Sequence, residues 1–142
     1  MSAPPRLRLG RDRSLRGQGA FKRVLDGRAR VETPDFALHM RPNDGRETRL
    51  GISIGRRFGC AARRNRVRRL LREAFRLSQA VHPHGAPAPY DIVIVVRPHE
   101  ARALEAYRAP LVAAMEELHA VWSRRAARRA TEPQRPPEDG AA

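Results

Sequence analysis

Residues 51–77 read GISIGRRFGCAARRNRVRRLLREAFRL. With Leu50 just ahead, Ile52 and Ile54 alternate with Gly51, Ser53 and Gly55, which is the period-two pattern of a strand. The period then changes. Val67, Leu70, Leu71, Ala74 and Phe75 fall at i, i+3, i+4, i+7 and i+8, the stripe of an amphipathic helix, while Asn65, Arg69, Arg72 and Arg76 occupy its polar side. Further on, residues 90–96 read YDIVIVV, an almost continuously apolar run that suits a central strand covered on both faces. Strand, helix and strand in succession imply a parallel crossover.

Upstream, Ala20, Phe21, Val24 and Leu25 recur at helical spacing, and Gly27 is expected to close that short helix as its C′ residue. After Pro34, the residues Phe36, Leu38 and Met40 alternate with Ala37, His39 and Arg41, as in a half-buried strand. Asn43, Asp44 and Gly45 are turn formers, so this strand and the one ending at Ile54 read as an antiparallel pair. A short extra strand fits near residues 28–32. A last helix is set by Leu111, Met115, Leu118 and Trp122; Pro110 suits only a first turn, which puts the start near Ala106. Arg124, Arg125, Arg128 and Arg129 close that helix, where cations suit the C-terminal dipole. The pattern predicts one α+β domain over 15–129, a mixed sheet of three to four strands with helices packed on it, in the order helix, strands, helix, strand, helix. Residues 1–14 read as a flexible basic arm and 130–142 as a disordered tail.

Charge bounds the function. The 142 residues hold 29 Lys plus Arg against 15 Asp plus Glu, a formal net charge of +14. Such a protein needs a polyanionic partner, most often nucleic acid, with an anionic membrane next. Lys22 is the only lysine. That bias fits either bidentate guanidinium recognition of phosphate or the Arg codons of a GC-rich genome. Cys60 is the only cysteine, so no intrachain disulfide can form. No apolar run reaches membrane-spanning length, and the basic N-terminus has no apolar core behind it, so a cytoplasmic location is expected.

The charge concentrates in one place. Arg56, Arg57, Arg63, Arg64, Arg66, Arg68, Arg69, Arg72 and Arg76 make nine arginines in that segment, against Glu73 as its only carboxylate. Glu73 is expected to pair with Arg69 at i−4. The rest are left facing one another, and a phosphate backbone is the natural counter-charge. Gly55 and Gly59 bracket Arg56 and Arg57 and would let the chain bring both near the helix start, where backbone N–H groups add donors for phosphate. The plain alternative is a solvated basic surface helix. A membrane-surface or calmodulin-target helix is a further one, but the apolar stripe lacks tryptophan and the strands would claim it as core.

At these residues the chain resembles the protein component of bacterial ribonuclease P. Gly55-Arg56-Arg57, the Arg64-Asn65-Arg66 triplet, the basic pair Arg68 and Arg69, and the run from Arg72 to Phe75 follow that family's signature. So do Phe21-Lys22-Arg23-Val24 with Gly27 upstream, and Asp91-Ile92-Val93 with Arg97-Pro98 downstream; the resemblance runs from about Leu15 to Trp122. It implies a partner, ribonuclease P RNA, with one protein per RNA, and a substrate, precursor tRNA, whose 5′ leader the holoenzyme removes. It implies that Mg²⁺ is held mainly by the RNA, and that no catalytic residue lies in this chain. It casts Arg56, Arg57, Arg63, Arg64, Asn65, Arg66, Arg68, Arg69 and Arg72 as contacts to the RNA subunit, and Phe21, Lys22, Leu25 and His39 as the leader cleft. It also implies a left-handed crossover, against the general right-handed rule. Two departures stand out: the family's Ser-Lys-Lys reads Gly55-Arg56-Arg57, and Leu25 and His39 replace aromatic residues seen in some members.

Other residues carry less. Cys60 has no histidine near it in sequence and reads as a small packed residue. His82 and His84 flank Pro83 without a third metal ligand. Met115 and Trp122 read as core, and Glu73 and Asp91 as isolated carboxylates rather than an acid/base pair. Competing functions are a ribosome-associated structural RNA-binding protein, a DNA-binding regulator, which would call for dimerisation heptads that the sequence lacks, and a stand-alone nuclease. No DNA or membrane partner is expected.

Overall fold

The computed structural model describes residues 14–15, 17–43, 45 and 47–131. Of the arm and tail expected over 1–14 and 130–142, only Ser14, Ala130 and Thr131 lie within the described residues. The element order is α1 (Gln18–Asp26), β1 (Arg30–Glu32), β2 (Phe36–Pro42), β3 (Arg49–Ile54), a 3₁₀ turn at Arg56–Phe58, α2 (Ala61–Leu77), β4 (Tyr90–Val96) and α3 (Leu104–Thr131). The four strands form one mixed sheet in the order β1-β2-β4-β3.

The apolar run of β4 takes the centre. It pairs parallel with β3, Ile52 opposite Ile94, and antiparallel with β2, Leu38 opposite Ile94. The expected direct pairing of β2 with β3 is therefore not made: β4 inserts between them. The physical reason is burial. β4 is apolar toward both faces, whereas β3 keeps Ser53 exposed and suits an edge. On that edge Leu15 N–H donates to Leu50 O at 2.9 Å, so the chain at Ser14 and Leu15 extends the sheet.

One face of the sheet carries the main core. Phe36, Leu38, Met40, Leu50, Ile92 and Ile94 pack on Val67, Leu71 and Phe75 of α2 and on Tyr107, Leu111 and Met115 of α3. Two tyrosines are buried with partners: Tyr107 Oη bonds His99 Nε2 (2.7 Å), and Tyr90 Oη bonds His119 Nδ1 (2.5 Å). Burial pushes the Tyr90 phenol up to about 12.

The other face is covered by α1, where Val24, Leu15 and Val93 form a small second cluster with Ala20, Phe21 and Val95. This corrects the half-buried reading of β2: Ala37 and His39, expected on a solvent side, are buried beneath α1. The helix that hides them is separated in sequence, so alternation alone could not reveal it.

Two local expectations also change. Gly27 has φ −67°, so it is not a left-handed cap; the positive φ (52°) belongs to Arg28. Space at Gly27 is instead tight, since a Cβ there would meet Val24 O at 3.2 Å and the Trp122 ring at 3.4 Å. Pro110 lies inside α3 rather than in its first turn. The helix begins earlier because Tyr107, fully buried and accepting a bond from Arg102 N–H at 3.1 Å, anchors that first turn. One backbone bond is forgone at the proline.

Candidate nucleic-acid interface

The basic segment clusters at the β3–α2 junction and along α2. Gly59, with φ 141°, turns the chain into α2; Gly55 has ordinary extended backbone, so only one of the two glycines is conformationally required. Phe58 between them is buried and pins the junction to the core. The Arg63 guanidinium lies 5.7 Å from its ring centroid, a cation–π contact.

Arg56, Arg57, Arg63, Asn65, Arg66, Arg69 and Arg72 are exposed, and Arg64 and Arg68 half-buried. Arg68 donates to Asn65 Oδ1 at 3.0 Å. Glu73 pairs with Arg76, at i+3, and not with Arg69 as expected. The Arg76 guanidinium reaches back over the same side of the helix and occupies the carboxylate. Hence Arg56, Arg57, Arg63, Arg64, Arg66, Arg68, Arg69 and Arg72 have no ion pair among the described residues. Eight guanidinium groups without a counter-charge on one junction make a strongly positive field.

A second feature lies on α1. Phe21, Lys22 and Leu25 line a groove of about 550 Å³ together with Gly17, Gln18 and Ser53. Leu25 is 39% exposed, unusual for a large apolar side chain. The Phe21 ring rests on Gly51 of β3, whose missing side chain makes the room: a Cβ would lie 2.5 Å from Phe21 Cζ. Gly51 is a groove-shaping residue absent from the sequence-based candidates; a glycine inside a strand pattern is the signal that marks close approach. Of the four expected cleft residues the structure brings three together. His39 does not join them. It is buried under α1, its Nδ1 has no hydrogen-bond partner among the described residues, and desolvation, helped by the nearby Arg30 charge, holds its pKa below the ordinary value.

The remaining candidates take other places. Cys60 is exposed at the α2 N-cap, not packed as expected, because the helix start projects from the core; the Arg63 backbone N–H pulls its thiol pKa down. His82 packs on the Phe75 ring, centroids 4.4 Å apart, and His84 is exposed. Met115 is core, and Trp122 is half-buried with Nε1 donating to Met40 O at 2.8 Å. Asp91 is not isolated: it accepts two bonds from Arg49, both 2.7 Å, and one from Asn43 at 2.9 Å. No described helix is long and apolar enough to cross a membrane.

Fold and surface together define a class: a small basic α+β domain whose parallel crossover helix carries a dense arginine face. A sequence model of the family described as Ribonuclease P matches residues 9–123. The chain belongs to the ribonuclease P protein family. It is 40% identical over 85 residues to the ribonuclease P protein component of Syntrophobacter fumaroxidans, covering 59% of this chain and 68% of that one. With the corresponding protein of Pseudoalteromonas translucida it shares 39% over 89 residues, 62% of this chain and 60% of that one. The solved structure of the RNase P protein from Thermotoga maritima superposes with TM-score 0.60 at 30% identity, covering 80% of this chain and 97% of that one.

Proposed function

We propose that the chain is the protein subunit of ribonuclease P, acting in the cytoplasm beside a catalytic RNA in the 5′ maturation of tRNA. The carrying observation is the set of eight arginines at the β3–α2 junction without ion pairs among the described residues. Arg56, Arg57, Arg63, Arg64, Asn65, Arg66, Arg68, Arg69 and Arg72 bind the RNA subunit in this reading. Each neutralised phosphate releases condensed counterions, which supplies affinity that falls with salt. The arginines sit on a helix and a turn anchored by buried Val67, Leu71 and Phe58, so their backbone positions are set before binding.

The groove beside α1 receives the 5′ leader of precursor tRNA. Phe21 offers a ring face to a base, Leu25 apolar contact and Lys22 a charge for phosphate, a sequence-tolerant combination. His39 is buried and is not among the residues that line this groove. Among the described residues no group of three or more His, Cys, Asp or Glu could hold a metal ion. In this reading Mg²⁺ belongs to the RNA, and this chain's own work is to bind, orient and screen charge.

The test is reconstitution. Mixed with a ribonuclease P RNA at low magnesium, the protein should stimulate precursor cleavage and raise affinity for precursor over mature tRNA. Replacing Arg64 and Arg66 by Ala should flatten the salt slope of RNA-subunit binding by about 0.7–0.9 for every phosphate no longer neutralised. Absent stimulation, or an unaltered slope, would remove the reading.

A further inference from the structure

The α2 face is not the only gathering of arginines. Where α1 ends, β2 ends and α3 leaves the core, a groove of about 620 Å³ is lined by Arg23, Arg41, Arg125, Arg128 and Arg129, with Trp122 and a single carboxylate, Asp26. These five arginines come from three elements far apart in sequence. Only the fold assembles them.

Two of the five are locked in place. Arg41 Nη1 donates to Arg23 O at 2.9 Å, and Arg125 Nη1 donates to Gly27 O at 2.9 Å, so both satisfy carbonyls at the open end of α1. Arg125 also stacks over the Trp122 ring at 4.6 Å, and Trp122 is itself tied to Met40 O. A guanidinium has five N–H donors, so both retain donors for a ligand. The other three, Arg23, Arg128 and Arg129, are exposed and have no ion pair among the described residues. Helix capping therefore accounts for two of the cations and leaves three that the fold itself does not use.

We propose that this groove is a second phosphodiester-binding site for RNA, separate from the α2 face; the inference rests on the reading above that RNA is the partner. Five guanidinium groups around one concavity, set against one carboxylate, match a run of phosphates better than a single small anion. Planar guanidinium also pairs phosphate oxygens two at a time. The groove lacks the apolar rim an amphipathic membrane contact needs, because the Trp122 indole is occupied by Arg125 and Met40 O. Asp26 borders both this groove and the one lined by Phe21 and Leu25, so the two adjoin at α1. The bound phosphates belong either to the RNA subunit or to a leader that continues past the end of α1.

The experiment uses the full chain with Arg128→Ala and Arg129→Ala combined, both exposed and away from the core. One arm measures affinity for ribonuclease P RNA without substrate. The other measures precursor tRNA binding to the assembled holoenzyme with leaders of increasing length. Leaving two phosphates without their arginines should weaken one arm about tenfold at roughly 0.2 M monovalent salt, with a salt slope shallower by about 1.4–1.8. Weakening in the first arm places the RNA subunit in the groove, and weakening that grows with leader length places the leader there. The charge-preserving pair Arg128→Lys and Arg129→Lys should keep the slope. Unchanged binding in both arms, with Arg64→Ala/Arg66→Ala still weakening the first, overturns this inference and leaves the proposed function standing. Unchanged binding for all variants overturns both.

Discussion

The two faces of the sheet are built to different depths. On one, β2, β4 and β3 meet α2 and α3 in a cluster that runs from Phe36 through Phe75 to Leu118. On the other, α1 alone closes over Leu15, Val24 and Val93, with Phe21 only half-buried beside them and Leu25 partly exposed. Apolar burial stabilises roughly in proportion to area, so the first face must hold most of the folding free energy. The second face holds little, and what it fails to bury becomes a groove. The candidate RNA surfaces follow the same division. The α2 arginines stand on the deep face's rigid helix, while both α1 grooves flank the lightly held one. Both faces thus present a candidate RNA surface, the deep one on the outer side of a well-anchored helix and the shallow one in the grooves that incomplete burial leaves.

The sharpest way to break that contrast is a pair of truncations. Phe75→Ala on the deep face should cost about 3–5 kcal/mol, the range for removing a buried aromatic, and should leave little folded protein near 37 °C. Val24→Ala on the shallow face removes two methyl groups and should cost about 1.5–2 kcal/mol at about 0.8 per group. Urea unfolding of both variants measures the difference. Equal losses would mean that the two faces are energetically alike and that neither is specialised for stability.

A smaller effect tests how the shallow face makes its groove. Gly51→Ala puts a methyl group 2.5 Å from Phe21 Cζ and 3.3 Å from Leu15 Cβ, so something must move. Phe21 borders open space and can swing outward, which keeps the cost near the low end of overpacking, about 1 kcal/mol. The displaced ring should nevertheless lower affinity for the leader while RNA-subunit binding stays the same. Stability and leader affinity both unchanged would show that the Phe21 seat on Gly51 does not shape the groove.

The same division explains what could be read from residues alone. The strand-to-helix change of period at residues 50–77 and the apolar β4 are strong local signals, and both are found where periodicity places them. The α2 arginines were legible because they crowd one helix within a short segment. What was hidden depends on contacts between distant segments. Ala37 and His39 look solvent-facing until α1 covers them. Gly51 looks like any strand glycine until Phe21 settles on it. Arg41 and Arg125 look like surface charge until they cap α1, and Pro110 looks like a helix start until Tyr107 anchors an earlier one. Pairing order also escaped, since β4 lies later in the chain than the two strands it separates.

The smallest expected effect is the most specific to the shallow face. Tyr90 and Tyr107, on the deep face, are buried with hydrogen-bond partners, whereas His39 is buried with no hydrogen-bond partner for Nδ1 among the described residues. Burial, reinforced by Arg30 and opposed by Glu32, lowers the His39 pKa from its ordinary 6.5. Below pH 6.5 the unfolded chain takes up a proton that the folded imidazole resists, so the unfolded state binds more protons and stability falls with falling pH until the folded pKa is passed. The contribution is fully present above 6.5 and absent below the folded value, with a slope of at most about 1.4 kcal/mol per pH unit between them. His39→Leu removes the proton and fits the same apolar surroundings. It should leave stability at pH 7.5 nearly unchanged and flatten its decline toward pH 5, as followed by urea midpoints. If the parent and the variant lose stability in parallel over that range, His39 is not held neutral, and α1 covers the sheet less tightly than its packing indicates.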